Sequence, residues 1–136
     1  MLTVLPIQSK QDQETVCLKC GVPYRSECMA YEARVNDHLV GVCQFHLKNG
    51  IGHITDFAEY IPENGKSDPE ALFIMARGCL NFIDLCGIHH AFFEADFNNR
   101  DLIHAIGFRQ NQDNLWEIDL TDFFVDHCKH HPKAEL

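Results

Sequence analysis

Basic residues are scarce in this 136-residue chain, where 11 Lys and Arg stand against 20 Asp and Glu for a formal charge of −9 at pH 7. Tracking phosphates requires a basic face, so nucleic acid is excluded as the main partner. The balance suits a cationic or neutral ligand and favours solubility. No apolar run approaches the about 18 residues that a spanning helix needs, so no membrane partner is expected. The opening segment, residues 1–14, has neither a charged n-region nor an uninterrupted apolar stretch and does not read as a secretory signal. The expected setting is therefore reducing and cytoplasmic. Gly- or Ser-rich linkers and internal repeats are also missing. With 46% hydrophobic and 23% charged residues, the composition excludes a disordered or collagen-like chain. At ~100–200 residues per domain, residues 1–136 read as one domain, with 121–136 a C-terminal extension whose end frays.

Seven Cys and nine His are present, a number that raises metal or redox chemistry. An odd count rules out a disulfide framework that uses every Cys. Cys17-Leu-Lys-Cys20-Gly21 is a CxxC-Gly knuckle, with Cys28 eight residues on. A structural zinc site takes four tetrahedral ligands, usually as two close pairs, and no second CxxC pair exists. No metal is expected; Cys17, Cys20 and Cys28 are the weak candidates. His127, Cys128, His130 and His131 read as a solvated terminus, and Cys43, Cys79 and Cys86 as small hydrophobes on a strand and a helix.

The pattern predicts a strand over Leu2–Ile7, then a helix over Gln13–Cys20 capped by Ser9 and stopped by Gly21. Met29, Tyr31, Ala33 and Val35 alternate with polar or small residues, predicting a strand buried on one face. Asn36-Asp37-His38 and Lys48-Asn49-Gly50 are turns that join it to strands Leu39–Leu47 and Ile51–Tyr60. Asp68 as N-cap, Pro69 at N1 and Glu70 in the first turn start a long, largely buried helix over Pro69–Cys86, ended by Gly87. A strand over Ile88–Ala95 follows, then a helix over Asn99–Ile106 closed by Gly107. A final hairpin turns at Asn111–Asn114 and returns along Leu115–Leu120. The class is α/β (α+β), with a mixed, mostly antiparallel central sheet flanked by helices in the order β-α-β-β-β-α-β-α-β-β.

This order over nearly the whole chain resembles the GNAT N-acetyltransferase superfamily. Two segments carry the resemblance further. Ile61-Pro62-Glu63-Asn64-Gly65-Lys66 before the long helix is similar to the family's acyl-CoA loop, and Asn98-Asn99 to Ala105-Ile106-Gly107-Phe108 to its later helix ending in Gly-Phe. The resemblance implies acetyl-CoA binding in a V-shaped opening between the fourth and fifth strands, and acetyl transfer to a small-molecule or peptide amine. It implies cofactor contacts from Phe57, Ala58, Glu59, Tyr60, Gly65, Lys66, Ser67 and Asn99. Where the family loop keeps a glycine pair, this chain has Ser67, Asp68 and Pro69. Pro69 lacks an N–H, and a carboxylate at Asp68 competes with phosphate for the helix N-terminus. At the position of the family's tyrosine acid stands Ile103, with His104 beside it as a substitute acid.

Transfer to an amine needs a base and donors for the developing oxyanion. The candidate catalytic residues are Glu94, His53 and His104, with Asp56 and Glu59 as further carboxylates. Strand alternation places His53, Thr55, Phe57 and Glu59 on one face, with His53 and Glu59 about 20 Å apart. Glu94, among Phe92, Phe93, Ala95 and Phe97, is expected to be buried, and the oxyanion donor is expected near a bulge within Phe57–Tyr60. Three readings follow: an acetyl-CoA-dependent N-acetyltransferase, a catalytically inactive GNAT-fold binding or homodimerising module, and a Cys/His metal or redox sensor.

Overall fold

Two tight turns organise the first half of the molecule. In the computed structural model, which describes residues 1–124, Asn36 and Asp37 have φ of 52° and 70°, and Asn49 and Gly50 have φ of 55° and 75°. Consecutive left-handed residues match the twist of flanking strands, so β2 (Met29–Val35), β3 (His38–Lys48) and β4 (Ile51–Glu59) form an antiparallel meander. β1 (Leu2–Pro6) pairs with β2 at the sheet edge, where Pro6 costs no central ladder bond. Between them runs α1 (Lys10–Cys20). Ser9 Oγ accepts from the Asp12 N–H at 3.0 Å, and Gly21 at φ 75° closes its C-terminus.

Helix α2 (Pro69–Leu85) crosses over from β4 to the parallel strand β5 (His90–Phe93). Helix α3 (Arg100–Ile106) and the hairpin β6 (Arg109–Gln110) and β7 (Trp116–Asp119) complete a seven-stranded sheet ordered β1-β2-β3-β4-β5-β7-β6. Every pairing is antiparallel except β4 with β5. The expected element order and both helix caps are present; the strand expected over Ile88–Ala95 is limited to His90–Phe93. Among the described residues no helix is long and apolar enough to cross a membrane.

Helices cover both faces of the sheet. Met75, Cys79, Leu80 and Ile83 of α2 pack with Ala33, Cys43, Phe45, Ile54 and Phe57 in one core, and Val16 and Cys17 of α1 pack with Ala30, Leu39 and Val42 in another. The one-face burial expected for β2 is therefore corrected: Ala30 is buried under α1 and Ala33 under α2. Small side chains on both faces let a helix approach from either side.

The register of β4 is broken once. Gln44 opposes Asp56 and Phe45 opposes Ile54, so Thr55 is an extra residue without a partner, a β-bulge. The bulge shifts the alternation by one. His53, Asp56 and Ala58 share the α1 face with their partners His46, Gln44 and Val42, while Ile54, Phe57 and Glu59 share the α2 face. The expectation that His53 and Glu59 lie on one face is thus corrected, and the bulge sits at Thr55, before the Phe57–Tyr60 stretch where it was expected.

Candidate functional site

Strands β4 and β5 run together only as far as Ile54 and Phe93, with the Glu94 N–H donating to the Ile54 carbonyl at 2.8 Å. Beyond that point β4 continues to Glu59 while the other chain turns away through Asp96 and Phe97, leaving a V-shaped opening. On the α1 face this opening is a cleft of about 350 Å³ bounded by Val22, Arg25, Thr55, Asp56, Glu94 and Asp96. Three carboxylates face one guanidinium there.

Asp56 is buried and fully engaged. Its Oδ2 accepts from Arg25 Nε at 2.6 Å, Gln44 Nε2 at 2.9 Å and Thr55 Oγ1 at 2.9 Å. Gln44 Oε1 in turn accepts from Gln13 Nε2 at 2.9 Å, and Gln44 donates to the Pro23 carbonyl at 2.8 Å. This network ties α1, the loop after it, β3 and β4 together, and satisfies the buried Gln13 and Gln44. Hydrogen bonding and charge attraction from Asp56 raise the Arg25 pKa, so the guanidinium stays charged at the cleft wall. Asp56 is a structural anchor for Arg25 rather than a free base.

At the apex, His53 Nδ1 lies 2.6 Å from Glu94 Oε2. A carboxylate on one imidazole nitrogen fixes the ring and directs the other nitrogen outward. Forty-one residues apart in sequence, the two are neighbours through the parallel β4–β5 register. Glu94 is 43% exposed by side chain, so its expected burial is corrected: it lies on the outer face while Phe93 takes the core. His53 also stacks on His46, 4.9 Å between ring centroids, and on Phe92 at 6.2 Å. His104 is exposed at the end of α3, where its carbonyl accepts from Arg109; no contact joins it to His53 or Glu94.

The expected cofactor contacts are divided. Phe57 is buried and Ala58 half-buried, on opposite faces of β4. The Tyr60 N–H donates to the Val40 carbonyl, and its side chain packs toward α1. Asn99 caps α3, its Oδ1 accepting from the Leu102 N–H at 3.1 Å. Gly65 closes a turn with its N–H on the Pro62 carbonyl at 2.8 Å, and Lys66 is exposed on that loop.

An acyl-CoA diphosphate would require the free N–H groups at the start of α2. Pro69 has none. The Asp68 N–H donates to Glu59 Oε2 at 2.5 Å, the Ser67 hydroxyl to Glu59 Oε1 at 2.8 Å, and the Ala71 N–H to Asp68 Oδ1 at 3.1 Å. Two carboxylates of the protein already stand on these donors. On the α2 face of the opening, Phe97 meets Phe57 edge-on at 4.9 Å, joining the two diverging segments. Glu59 and Asp68 thus compete with a diphosphate for the Asp68 and Ala71 amides.

Nor do the cysteines fit a metal or a redox pair. Cys17 and Cys28 are buried and Cys20 half-buried. Burial pushes the Cys17 thiol up to about 11, with repulsion from Asp56 adding, and the Cys20 thiol up to about 12, with Cys17 and Glu32 adding. Thiol chemistry uses the thiolate, which burial of these sites disfavours. Cys28 Sγ lies 3.8 Å from His46 Nδ1 and 3.6 Å from Thr55 Oγ1, and burial raises its pKa as well. Among the described residues no group of three or more His, Cys, Asp or Glu is placed to hold a metal ion. The His127, Cys128, His130 and His131 segment lies outside the described residues.

No family model matches the chain, and no curated protein matches it. Solved structures do. The ribosomal-protein-S18-alanine N-acetyltransferase of Escherichia coli superposes with a TM-score of 0.65 at 7% identity, over 88% of this chain and 94% of that one. A GNAT family acetyltransferase from Elizabethkingia anophelis with acetyl-CoA bound gives 0.64 at 13% identity, over 88% and 98%. The PaiA N-acetyltransferase of Thermoplasma acidophilum, in complex with coenzyme A, gives 0.62 at 10% identity, over 86% and 99%. The expected fold is thereby shown: the chain has the architecture of the GNAT acetyltransferases.

Proposed function

We propose that this GNAT-fold chain is a divergent member of that superfamily which binds a cationic amine beside Glu94 and no longer carries an acyl-CoA cofactor. The observation that carries this reading is the pair of carboxylates, Glu59 and Asp68, on the N-terminal amides of α2. Amides satisfied by fixed anions attract no further anion, and a diphosphate would have to displace both carboxylates and desolvate beside them. The cleft on the opposite face supports the amine. Asp56 and Arg25 neutralise each other, so Glu94 and Asp96 leave the opening negative. Glu94, although bonded to His53, has further lone pairs to offer an ammonium.

One observation favours acetyl transfer as a second reading. A histidine oriented by a carboxylate at the apex of the opening is the arrangement a general base takes, and His53–Glu94 has it. The same experiment separates the two. Calorimetric titration with propylamine is expected to show saturable binding, weakened about tenfold or more in Glu94→Gln, because a hydrogen bond to a charged group contributes about 1.5–3 kcal/mol. Acetyl-CoA at high micromolar concentration is expected to give no binding heat. Saturable heat with acetyl-CoA would overturn the proposal in favour of the enzyme.

A further inference from the structure

Helix α1 covers only part of the outer face of the sheet. It packs on Ala30 of β2 and on Leu39 and Val42 of β3, and no described helix lies over the end of β3 or over β5 and β7 on this side. A sheet face is normally packed against a second layer. Register lays two rows of side chains across the uncovered part. In one, His46 opposes His53, His53 opposes Phe92, and Phe92 opposes Glu117. In the other, Lys48 opposes Ile51 and His90 opposes Asp119, with Ile51 and His90 just before the paired Gly52 and Ala91. Both rows point away from the core, because Gly52 faces Ile83 of α2 while Ala91 and Ile118 are buried beside it. The His90 and Glu117 side chains are 45% and 37% exposed, and Lys48 and Asp119 are exposed.

Each row runs from an imidazole or ammonium on β3 to a carboxylate on β7. Three strand spacings of ~4.8 Å separate the ends by about 14 Å, and neither Lys48 nor Asp119 has an ion-pair partner among the described residues. We infer that a second copy of this chain packs on this face, related by a two-fold axis that runs along the strands between β4 and β5. Rotation about that axis exchanges the ends of each row. Lys48 of one copy then faces Asp119 of the other, His46 faces Glu117, and His53 lies over Phe92 near the axis. An isologous contact makes each of these pairings twice. A wholly basic partner would leave Lys48 opposed, and a wholly acidic one Asp119; the chain itself satisfies both ends. Glu94, the next outward residue, is engaged by His53 at 2.6 Å in each copy. The face is polar and small beside the ~800 Å² per partner of a standard interface, so a dissociation constant in the micromolar range is expected.

Sedimentation equilibrium across the micromolar range tests this by exchange of charge. Each copy carries −9, so added salt screens the general repulsion along with the pairs and is the poorer probe. Lys48→Asp and Asp119→Lys are each expected to weaken self-association at least tenfold, because both symmetric contacts become like-charged. An equimolar mixture of the two variants is expected to recover the unmodified affinity. There each introduced charge faces the other, and Lys48 of one variant faces Asp119 of its companion. A monomeric unmodified chain at high micromolar concentration would overturn the inference. So would self-association that neither substitution weakens, or a mixture of folded variants, checked by urea unfolding, that stays monomeric. Dilution of the ¹⁵N-labelled unmodified chain reads the same face with no substitution. The Ile51, His90 and Phe92 amides are expected to shift with concentration while those of α2 and α3 stay in place; shifts confined to other surfaces would overturn the assignment.

Discussion

The variant Glu59→Ala/Asp68→Gly/Pro69→Gly is expected to bind coenzyme A at least tenfold more tightly than the unmodified chain. Three donors return to the start of α2. The residue-68 N–H loses its Glu59 acceptor, residue 69 regains an N–H, and the Ala71 N–H loses the Asp68 carboxylate. A hydrogen bond to a charged group contributes about 1.5–3 kcal/mol, and two removed anions no longer oppose the diphosphate at the positive end of the helix. Against this, loss of the Asp68 cap costs about 1 kcal/mol of helix stability. The balance exceeds the 1.4 kcal/mol of a tenfold change. Calorimetry with coenzyme A measures it, and a urea titration of the same variant checks that the chain still folds. An unchanged or weaker affinity in a folded variant would mean that the carboxylates do not close the cradle.

Phe108→Ala is expected to destabilise the fold by about 3–5 kcal/mol, a large share of the about 5–15 kcal/mol that holds a typical domain together. Phe108 is fully buried, with its ring 5.4 Å from Phe93, in the core that also holds Ile103, Ile106 and Ile118. Residues of α2, α3 and β7 share that core with it. Gly107 explains the residue before it: its φ is 134°, and a Cβ would come within 2.8 Å of Ile118 Cδ1. The Gly-Phe ending of α3 is therefore a packing device at the back of β5. Urea unfolding followed by Trp116 emission measures the loss; a cost under 1 kcal/mol would contradict this account of the core.

Much of this was legible in the chain. Ser9, Gly21, Asp68, Pro69 and Asn99 mark helix ends through capping chemistry that depends only on neighbouring residues, and the Asn-Asp and Asn-Gly turns fix the meander in the same local way. The competition of Asp68 with a phosphate could be read because an N-cap carboxylate and a phosphate seek the same amides. The partnership of Glu59 with Asp68 and Ser67 could not. Unbroken alternation along Ile51–Tyr60 puts Glu59 with His53, and only the bulge at Thr55 turns it toward α2; nothing in Ile-Thr-Asp-Phe announces an extra residue. The pairs His53–Glu94 and Arg25–Asp56 were hidden for a related reason. They join residues 41 and 31 apart, set by strand register and loop path rather than by spacing. Burial of Glu94 was expected from its phenylalanine neighbours, yet the strand that buries Phe93 sends the next side chain outward. The scarcity of basic residues keeps its meaning, since the surplus carboxylates both occupy the helix end and line the cleft.

The central claim is that the Asp68 and Ala71 amides at the start of α2 already belong to the protein's own carboxylates. The most direct measurement is the ¹H–¹⁵N amide spectrum of the unmodified protein, recorded with and without coenzyme A. The expected result is a strongly hydrogen-bonded Asp68 amide, slow to exchange, with the Asp68, Glu70 and Ala71 resonances unmoved at high micromolar coenzyme A. Saturable movement of those three resonances would contradict it.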